Sequence, residues 1–209
     1  MDPDRIRIII ADDQNLFAEG LKSIIEVRDP GISVEAIAPD GREAVRLTRQ
    51  LKPDIVLMDV LMPIMDGVEA VKILHTEQPE LKILMLTTFD DDEYVKEALW
   101  NGALGYLLKN VPVNDLIRNI RALHENAVIM TPSVMRNLIR PSPQAAVRKE
   151  LPPWFDSLAL REKQILRLLA EGRNNYDIAG CLNLSEQTVK NYISGIYTKA
   201  GSHDRLALI

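Results

Sequence analysis

The sequence predicts an α/β fold, a five-stranded doubly wound parallel sheet, followed by a small all-α domain. Three observations predict it. Short, nearly continuous apolar runs alternate with helical stretches over residues 6–125, the pattern of strands buried on both faces. The charge changes sign along the chain: residues 1–130 hold 14 Lys and Arg against 23 Asp and Glu, a balance of −9, and residues 131–209 hold 11 against 7, or +4. Halves of opposite sign indicate modules with different partners. Four prolines fall between Pro141 and Pro153 and read as an extended tether. The expected domains are therefore 1–130 and 157–209, joined over 131–156 by a connecting helix and the proline-rich linker.

The elements follow in order. Ile6–Ile10 is a β-branched strand ending in Asp12-Asp13. A helical stretch with Leu16, Leu21, Ile24 and Ile25 closes near Val27. Ile32–Ala38 is a strand, and Asp40-Gly41 opens a helix carrying Ala44, Val45 and Leu47. Ile55–Met58 is a strand ending at Asp59, and Gly67–Leu74 is helical. Ile83–Leu86 is a strand ending at Thr87, and Asp91–Trp100 is helical. Gly105–Leu108 is a strand ending at Lys109, and Val113–Glu125 is the fifth helix. Right-handed crossovers make such an alternation a parallel sheet with helices on both faces.

Composition narrows the class. The 209 residues are 46% hydrophobic, an ordinary fraction for a packed core. A single cysteine excludes an internal disulfide framework and a cysteine-rich zinc site. The acidic start Met1-Asp2-Pro3-Asp4 lacks the basic region of a signal peptide, and no apolar run reaches the ~20 residues that span a bilayer. A soluble, cytoplasmic protein without a membrane partner is expected. His75, His124 and His203 are dispersed without metal-ligand spacing, and Cys181 is expected to be a buried packing residue.

Asp12, Asp13, Asp59, Thr87 and Lys109 each follow the carboxyl end of a strand, the edge where open α/β sheets bind ligands. Singly, an Asp there is an ordinary turn former; the information lies in the joint placement. Three close carboxylates call for a cation, and hard oxygen ligands without His or Cys favour Mg2+. An aspartate beside magnesium suits acyl-phosphate chemistry, with the lysine and the hydroxyl facing the phosphoryl oxygens.

With Asp12-Asp13, Asp59, the loop Met62-Pro63 to Asp66-Gly67, Thr87, and Gly105-Tyr106-Leu107-Leu108-Lys109, the first half resembles the receiver domain of bacterial two-component response regulators, a flavodoxin-like fold. The resemblance implies that Asp59 accepts a phosphoryl group from the phosphohistidine of a sensor histidine kinase. It implies that Asp13, Asp59 and the backbone carbonyl of Leu61 hold Mg2+, with Asp12 acting through water. Lys109 then pairs with the phosphoryl oxygens, Thr87 moves toward them after transfer, and Tyr106 turns inward. The chain is expected to catalyse only its own phosphorylation and dephosphorylation. Leu61 and Phe89 flank the site and cannot orient water by hydrogen bonding, so slow self-hydrolysis is expected.

Residues 157–209 read as four short helices. Arg161–Ala170 stops at Gly172. Asn174 caps the next helix, with Asp177 three residues on. The turn Asn183-Leu184 and the cap Ser185 lead into Glu186–Lys199, so two helices meet through a short turn, as in helix-turn-helix. On the last of these, Val189, Tyr192, Ile193 and Ile196 share one face, and Gln187, Lys190, Asn191, Ser194 and Thr198 share the other. Such polar groups suit base edges of double-stranded DNA, while Lys199 and Arg205 suit phosphates. Arg161-Glu162, Ala170-Glu171-Gly172, Ile178-Ala179, Leu184-Ser185 and Thr188-Val189-Lys190 are similar to the LuxR-type helix-turn-helix of the NarL/FixJ group. The expected DNA-contacting set is Gln187, Thr188, Lys190, Asn191, Ser194, Lys199 and Arg205.

Three departures stand out. Ala159 replaces the family's usual capping threonine, Tyr192 its common histidine, and Gly195 lies inside the recognition helix, at a cost of roughly 1 kcal/mol relative to alanine. A marginal recognition helix is expected from that glycine. Relatives usually continue through a longer fourth helix, so pairing into a homodimer by that surface is in question. The leading reading is a transcription regulator controlled by phosphorylation. An aspartyl phosphatase is disfavoured because Leu61 stands where its acid–base aspartate belongs. A protein-interaction adaptor whose helix-turn-helix does not bind DNA is the alternative. Trp154 and Phe155 either anchor the linker or dock between the domains.

Overall fold

The computed structural model describes residues 5–88, 92–130, 135, 152–182 and 184–202. It divides into two compact units, Met1–Pro141 and Ser142–Ile209.

In the first unit the strands are β1 (Ile6–Ala11), β2 (Ile32–Ala38), β3 (Ile55–Met58), β4 (Lys82–Thr87), β5 (Gly105–Leu108) and β6 (Ile129–Met130). The helices are α1 (Asn15–Arg28), α2 (Gly41–Leu51), α3 (Gly67–Glu77), α4 (Asp92–Trp100) and α5 (Val113–His124). All strand pairs are parallel, in the order β2-β1-β3-β4-β5-β6. The sheet of the described residues thus has six strands where the sequence predicts five. Two residues are too few to show a period; Ile129 and Met130 become a strand only by pairing with Gly105 and Tyr106.

Period-two alternation sends Ile8, Ile10, Ile55, Leu57, Leu84 and Leu86 into one core with Ala18, Leu21 and Ile25 of α1 and Leu116, Ile120 and Leu123 of α5. The intervening Ile9, Val56, Met58, Ile83 and Met85 are fully buried as well, as a sheet covered on both faces requires. Each such side chain contributes roughly 1.5–3 kcal/mol. Leu16 and Ile24, expected on the apolar side of α1, are instead exposed, because the helix buries the face of Ala18, Leu21 and Ile25.

Among its described residues the second unit holds a 3-10 turn, Pro153–Ser157, and three helices: α6 (Leu160–Ala170), α7 (Asn175–Leu182) and α8 (Glu186–Ala200). The fourth short helix that the sequence predicts lies outside the described residues. Gly172, at φ +80°, ends α6 in the left-handed conformation that glycine adopts without strain. Asn174 caps α7 by accepting the Asp177 N–H at 2.9 Å, and Ser185 caps α8 by accepting the Thr188 N–H at 3.0 Å. Ile165, Leu166 and Leu169 of α6, Ile178 and Leu182 of α7, and Val189, Ile193 and Ile196 of α8 form the buried interior. Phe155 lies under Lys163, whose ammonium is 5.5 Å from its ring centroid. The aromatic pair at 154 and 155 thus begins the second unit's own fold.

Cys181, expected to be buried, is exposed. Ile178, Ala179 and Leu182 occupy the inward face of α7, leaving Cys181 beside the Arg173 guanidinium at 3.7 Å. No helix among the described residues is long and apolar enough to cross a membrane.

Candidate functional site

The strand order reverses between β1 and β3, the crevice where doubly wound sheets bind ligands. Asp12 leaves the end of β1 with its N–H on Ala38 O at 2.9 Å, and Asp59 leaves β3 with its N–H on Ala11 O at 2.8 Å. Lys109 continues the β4–β5 pairing by donating its N–H to Thr87 O at 2.7 Å. Backbone pairing alone therefore delivers an acid from each of two strands, a lysine and a hydroxyl to one edge.

Side-chain geometry completes the cluster. The Lys109 ammonium lies 2.6 Å from Asp12 Oδ2 and 2.6 Å from Asp59 Oδ2, with all three side chains at most 5% exposed. Asp12 Oδ1 accepts the Gln14 N–H at 2.9 Å. Asp59 Oδ1 is buried and has no hydrogen-bond partner among the described residues. Carboxylate oxygens of Asp12, Asp13 and Asp59 lie within 4.8 Å of one another, with Asp13 exposed and the other two buried. Burial first, and the Asp59 charge second, push the Asp12 carboxyl up to about 6 against the pull of Lys109. Burial alone would lower the Lys109 ammonium, but the Asp59 and Asp12 carboxylates outweigh it and hold it above its usual value. An orphaned buried oxygen in a set of hard carboxylate donors fits a divalent cation such as Mg2+.

The loop after β3 packs tightly over this edge. Gly67 donates its N–H to Val60 O at 2.9 Å, and a Cβ there would stand 1.9 Å from the Asp59 carbonyl oxygen, so only glycine lets α3 start here. Asp66 caps α3 by accepting the Glu69 N–H at 2.8 Å. Leu61 is buried, Ile64 is exposed and left-handed at φ +67°, and Phe89 lies outside the described residues. Thr87 is fully buried. Tyr106 is also fully buried, so its ring already occupies the interior rather than the surface.

In the second unit, Gln187, Lys190, Asn191 and Ser194 are exposed along one face of α8, opposite the buried Val189, Ile193 and Ile196. Gln187 Nε2 donates to Asn191 Oδ1 at 3.1 Å, and Lys190 pairs with Glu186 at 2.9 Å. The Thr188 hydroxyl is engaged with the Ser185 hydroxyl at 2.7 Å. Lys199, expected to meet a phosphate, pairs with Glu162 at 2.6 Å, a contact between helices 37 residues apart in sequence that no local pattern reveals. Arg205 lies outside the described residues.

Gly195 does not break the recognition helix, which runs unbroken over Glu186–Ala200. A Cβ at that position would stand 3.2 Å from Glu162 Oε1, so the glycine marks where α6 and α8 come close. Ala159 precedes α6 without a side-chain acceptor, and Glu162 Oε2 takes up the Ala159 N–H at 2.8 Å, supplying the reciprocal half of a capping box.

Comparison with known proteins agrees with this division of labour. Residues 8–121 match the response regulator receiver domain family, and residues 156–209 match the bacterial regulatory proteins of the luxR family. The chain is 38% identical over 205 residues to the transcriptional regulatory protein LnrK of Bacillus subtilis, covering 96% of this chain and 93% of that one. It is 36% identical over 214 residues to the transcriptional regulatory protein DegU of Brevibacillus brevis, covering 97% and 90%. A solved structure of the RcsB response regulator of Salmonella typhimurium is 25% identical, with a TM-score of 0.59 over 98% of this chain and 96% of that one. The chain therefore belongs to the NarL/FixJ group of two-component response regulators, DNA-binding transcriptional regulators in which a receiver domain precedes a LuxR-type helix-turn-helix.

Proposed function

We propose that Asp59 is the phosphoacceptor and that its phosphorylation controls DNA binding by the second unit. The observation that carries this reading is the Lys109 ammonium held 2.6 Å from both Asp12 and Asp59 beside the orphaned Asp59 Oδ1. In the transfer, an Asp59 oxygen attacks the phosphorus of a kinase phosphohistidine. The P–N bond breaks, its electron pair returns to the imidazole, and an acyl phosphate forms. Lys109 stabilises charge on the phosphoryl oxygens, and the Thr87 hydroxyl donates to them once the bond has formed.

Asp13, Asp59 and the Leu61 carbonyl would hold Mg2+, with Asp12 acting through water. The ion neutralises the crowded carboxylates and the incoming phosphate when bound. Tyr106, already buried, supports a receiver in which the inward state is accessible before phosphorylation, so transfer shifts a population. Apart from its own phosphorylation and dephosphorylation, the chain catalyses no reaction in this reading. It acts in the cytoplasm, with a sensor histidine kinase upstream.

Residues 1–130 receive the signal, 131–156 connect, and 157–209 bind DNA. Gln187, Lys190, Asn191 and Ser194 face base edges in the major groove, with Thr188 at the helix start and Arg205 toward phosphates. Two chains paired on phosphorylation place two recognition helices about one DNA turn apart.

The decisive test is the Asp59→Asn variant. It is expected to take up no acid-labile phosphate from acetyl phosphate with Mg2+ and to lose the phosphate-dependent gain in promoter binding. Unchanged labelling and an unchanged gain would refute the assignment.

A further inference from the structure

A lysine ammonium has three donor directions. At Lys109 two of them are taken by Asp12 Oδ2 and Asp59 Oδ2, and the side chain is only 5% exposed, leaving little room for water at the third. The ring of Phe17, on the first turn of α1, lies on the ammonium with its centroid 4.8 Å from Nζ. The ring is half-buried and packs against the core shared by α1, the sheet and α5, so it is held in place from behind. The electron-rich face of an aromatic ring attracts a desolvated cation. A leucine of similar size fills the same space without that face.

We propose that Phe17 is a positioning residue for Lys109, its ring taking up the ammonium's third donor direction and holding it between Asp12 and Asp59. The proposal rests on the reading of Asp59 as phosphoacceptor. The contact through which Phe17 acts is the one with the lysine. Without the ring, the ammonium gains a donor free to seek water and spreads over more orientations. A smaller fraction of molecules then presents it to the phosphoryl oxygens as they develop charge. The consequence falls on the maximal rate of phosphorylation rather than on capture of the donor.

The test compares the full chain with its Phe17→Leu, Phe17→Met and Phe17→Tyr variants. In metal-free protein, the Lys109 ε-methylene resonances are expected upfield through the ring current in the wild type and in Phe17→Tyr, and near ordinary lysine values in the two aliphatic variants. With acetyl phosphate and Mg2+, the maximal phosphorylation rate is expected to fall about two- to thirty-fold in Phe17→Leu and Phe17→Met, the span of an ammonium–ring attraction. Half-saturation by the donor stays unchanged, and Phe17→Tyr restores the rate. An upfield shift that survives in the aliphatic variants, an unchanged rate in them, or a tyrosine variant as slow as leucine would overturn the proposal. Thermal midpoints separate this from general destabilisation, which would raise the donor concentration needed for half-saturation because only the folded fraction binds it. If the wild type and Asp59→Asn both fail to take up phosphate, the acceptor reading has failed, while the ring-current shift still decides the position of Lys109.

Discussion

Lys199 donates to Glu162 Oε2 at 2.6 Å, and the same oxygen accepts the Ala159 N–H at 2.8 Å. One buried carboxylate thus caps the start of α6 and ties it to the end of the recognition helix. Glu162→Ala should lower the stability of the second unit by about 1–2 kcal/mol, through loss of the cap with a smaller share from the partly exposed ion pair. Chemical denaturation of the full chain measures it, and a loss below a few tenths would refute the role. Lys199→Met should leave the slope of log affinity against log salt unchanged, since its charge is already neutralised. Loss of a phosphate-contacting lysine would instead flatten that slope by about 0.9.

The orphaned Asp59 Oδ1 in a cluster of three carboxylates predicts stabilisation by divalent cations. At ten times its Kd, Mg2+ should add about 1.4 kcal/mol to the first unit. Asp59→Asn should lose most of that gain. Thermal melts with and without MgCl2 check it, and an equal gain in the variant would place the ion elsewhere.

Leu61, two residues after Asp59, is buried and has no group to orient an attacking water. The acyl phosphate on the isolated chain should persist for minutes or longer. Leu61→Asn, which supplies an amide, should shorten its lifetime several-fold. Decay within seconds in the wild type would rule out the apolar wall as the brake.

Ile64 is β-branched, exposed and left-handed, at φ +67°. That conformation costs an L-residue with a branched side chain roughly 1–2 kcal/mol, whereas asparagine tolerates it. Ile64→Asn should therefore raise the stability of the first unit by about 1 kcal/mol. A fall in the thermal midpoint would show that the isoleucine contributes packing that its exposure conceals.

Arg121 of α5 makes paired hydrogen bonds of 2.6 Å to both oxygens of Asp29, the residue that follows α1. Those bonds hold the Asp29 carboxyl below its ordinary value of 3.8. A depressed acid stabilises the fold above its unfolded value and loses that contribution as pH falls through its folded one. Asp29→Asn should thus cost within about 1 kcal/mol at neutral pH and nothing once pH drops well below 3.8. A difference that persists unchanged into strong acid would contradict the ion pair.

Strand and helix periods in residues 6–125 were legible because burial on both faces leaves strands uniformly apolar, and because Asp40 announces a helix start by a local hydrogen bond, as Asn174 and Ser185 do in the second unit. Asp12, Asp59, Thr87 and Lys109 were legible for a related reason: a polar residue directly after each buried strand must surface at one edge. The second unit was read less completely. Gly195 reads as a weak point by helix propensity, and only the fold adds that it is also a point of close approach to Glu162. Cys181 looked apolar enough to be buried, yet the turn of α7 leaves it outside.

By itself, the sequence determined the order of elements, the two-unit division of charge and the residues that reach the acidic edge, all consequences of short-range periods and caps. Tertiary structure alone decided the sixth strand, the pairing of Lys199 with Glu162, the burial of Tyr106 and the ring of Phe17 over Lys109. Each of these depends on residues far apart in the chain whose approach is set by packing, and local propensity carries no record of such distances.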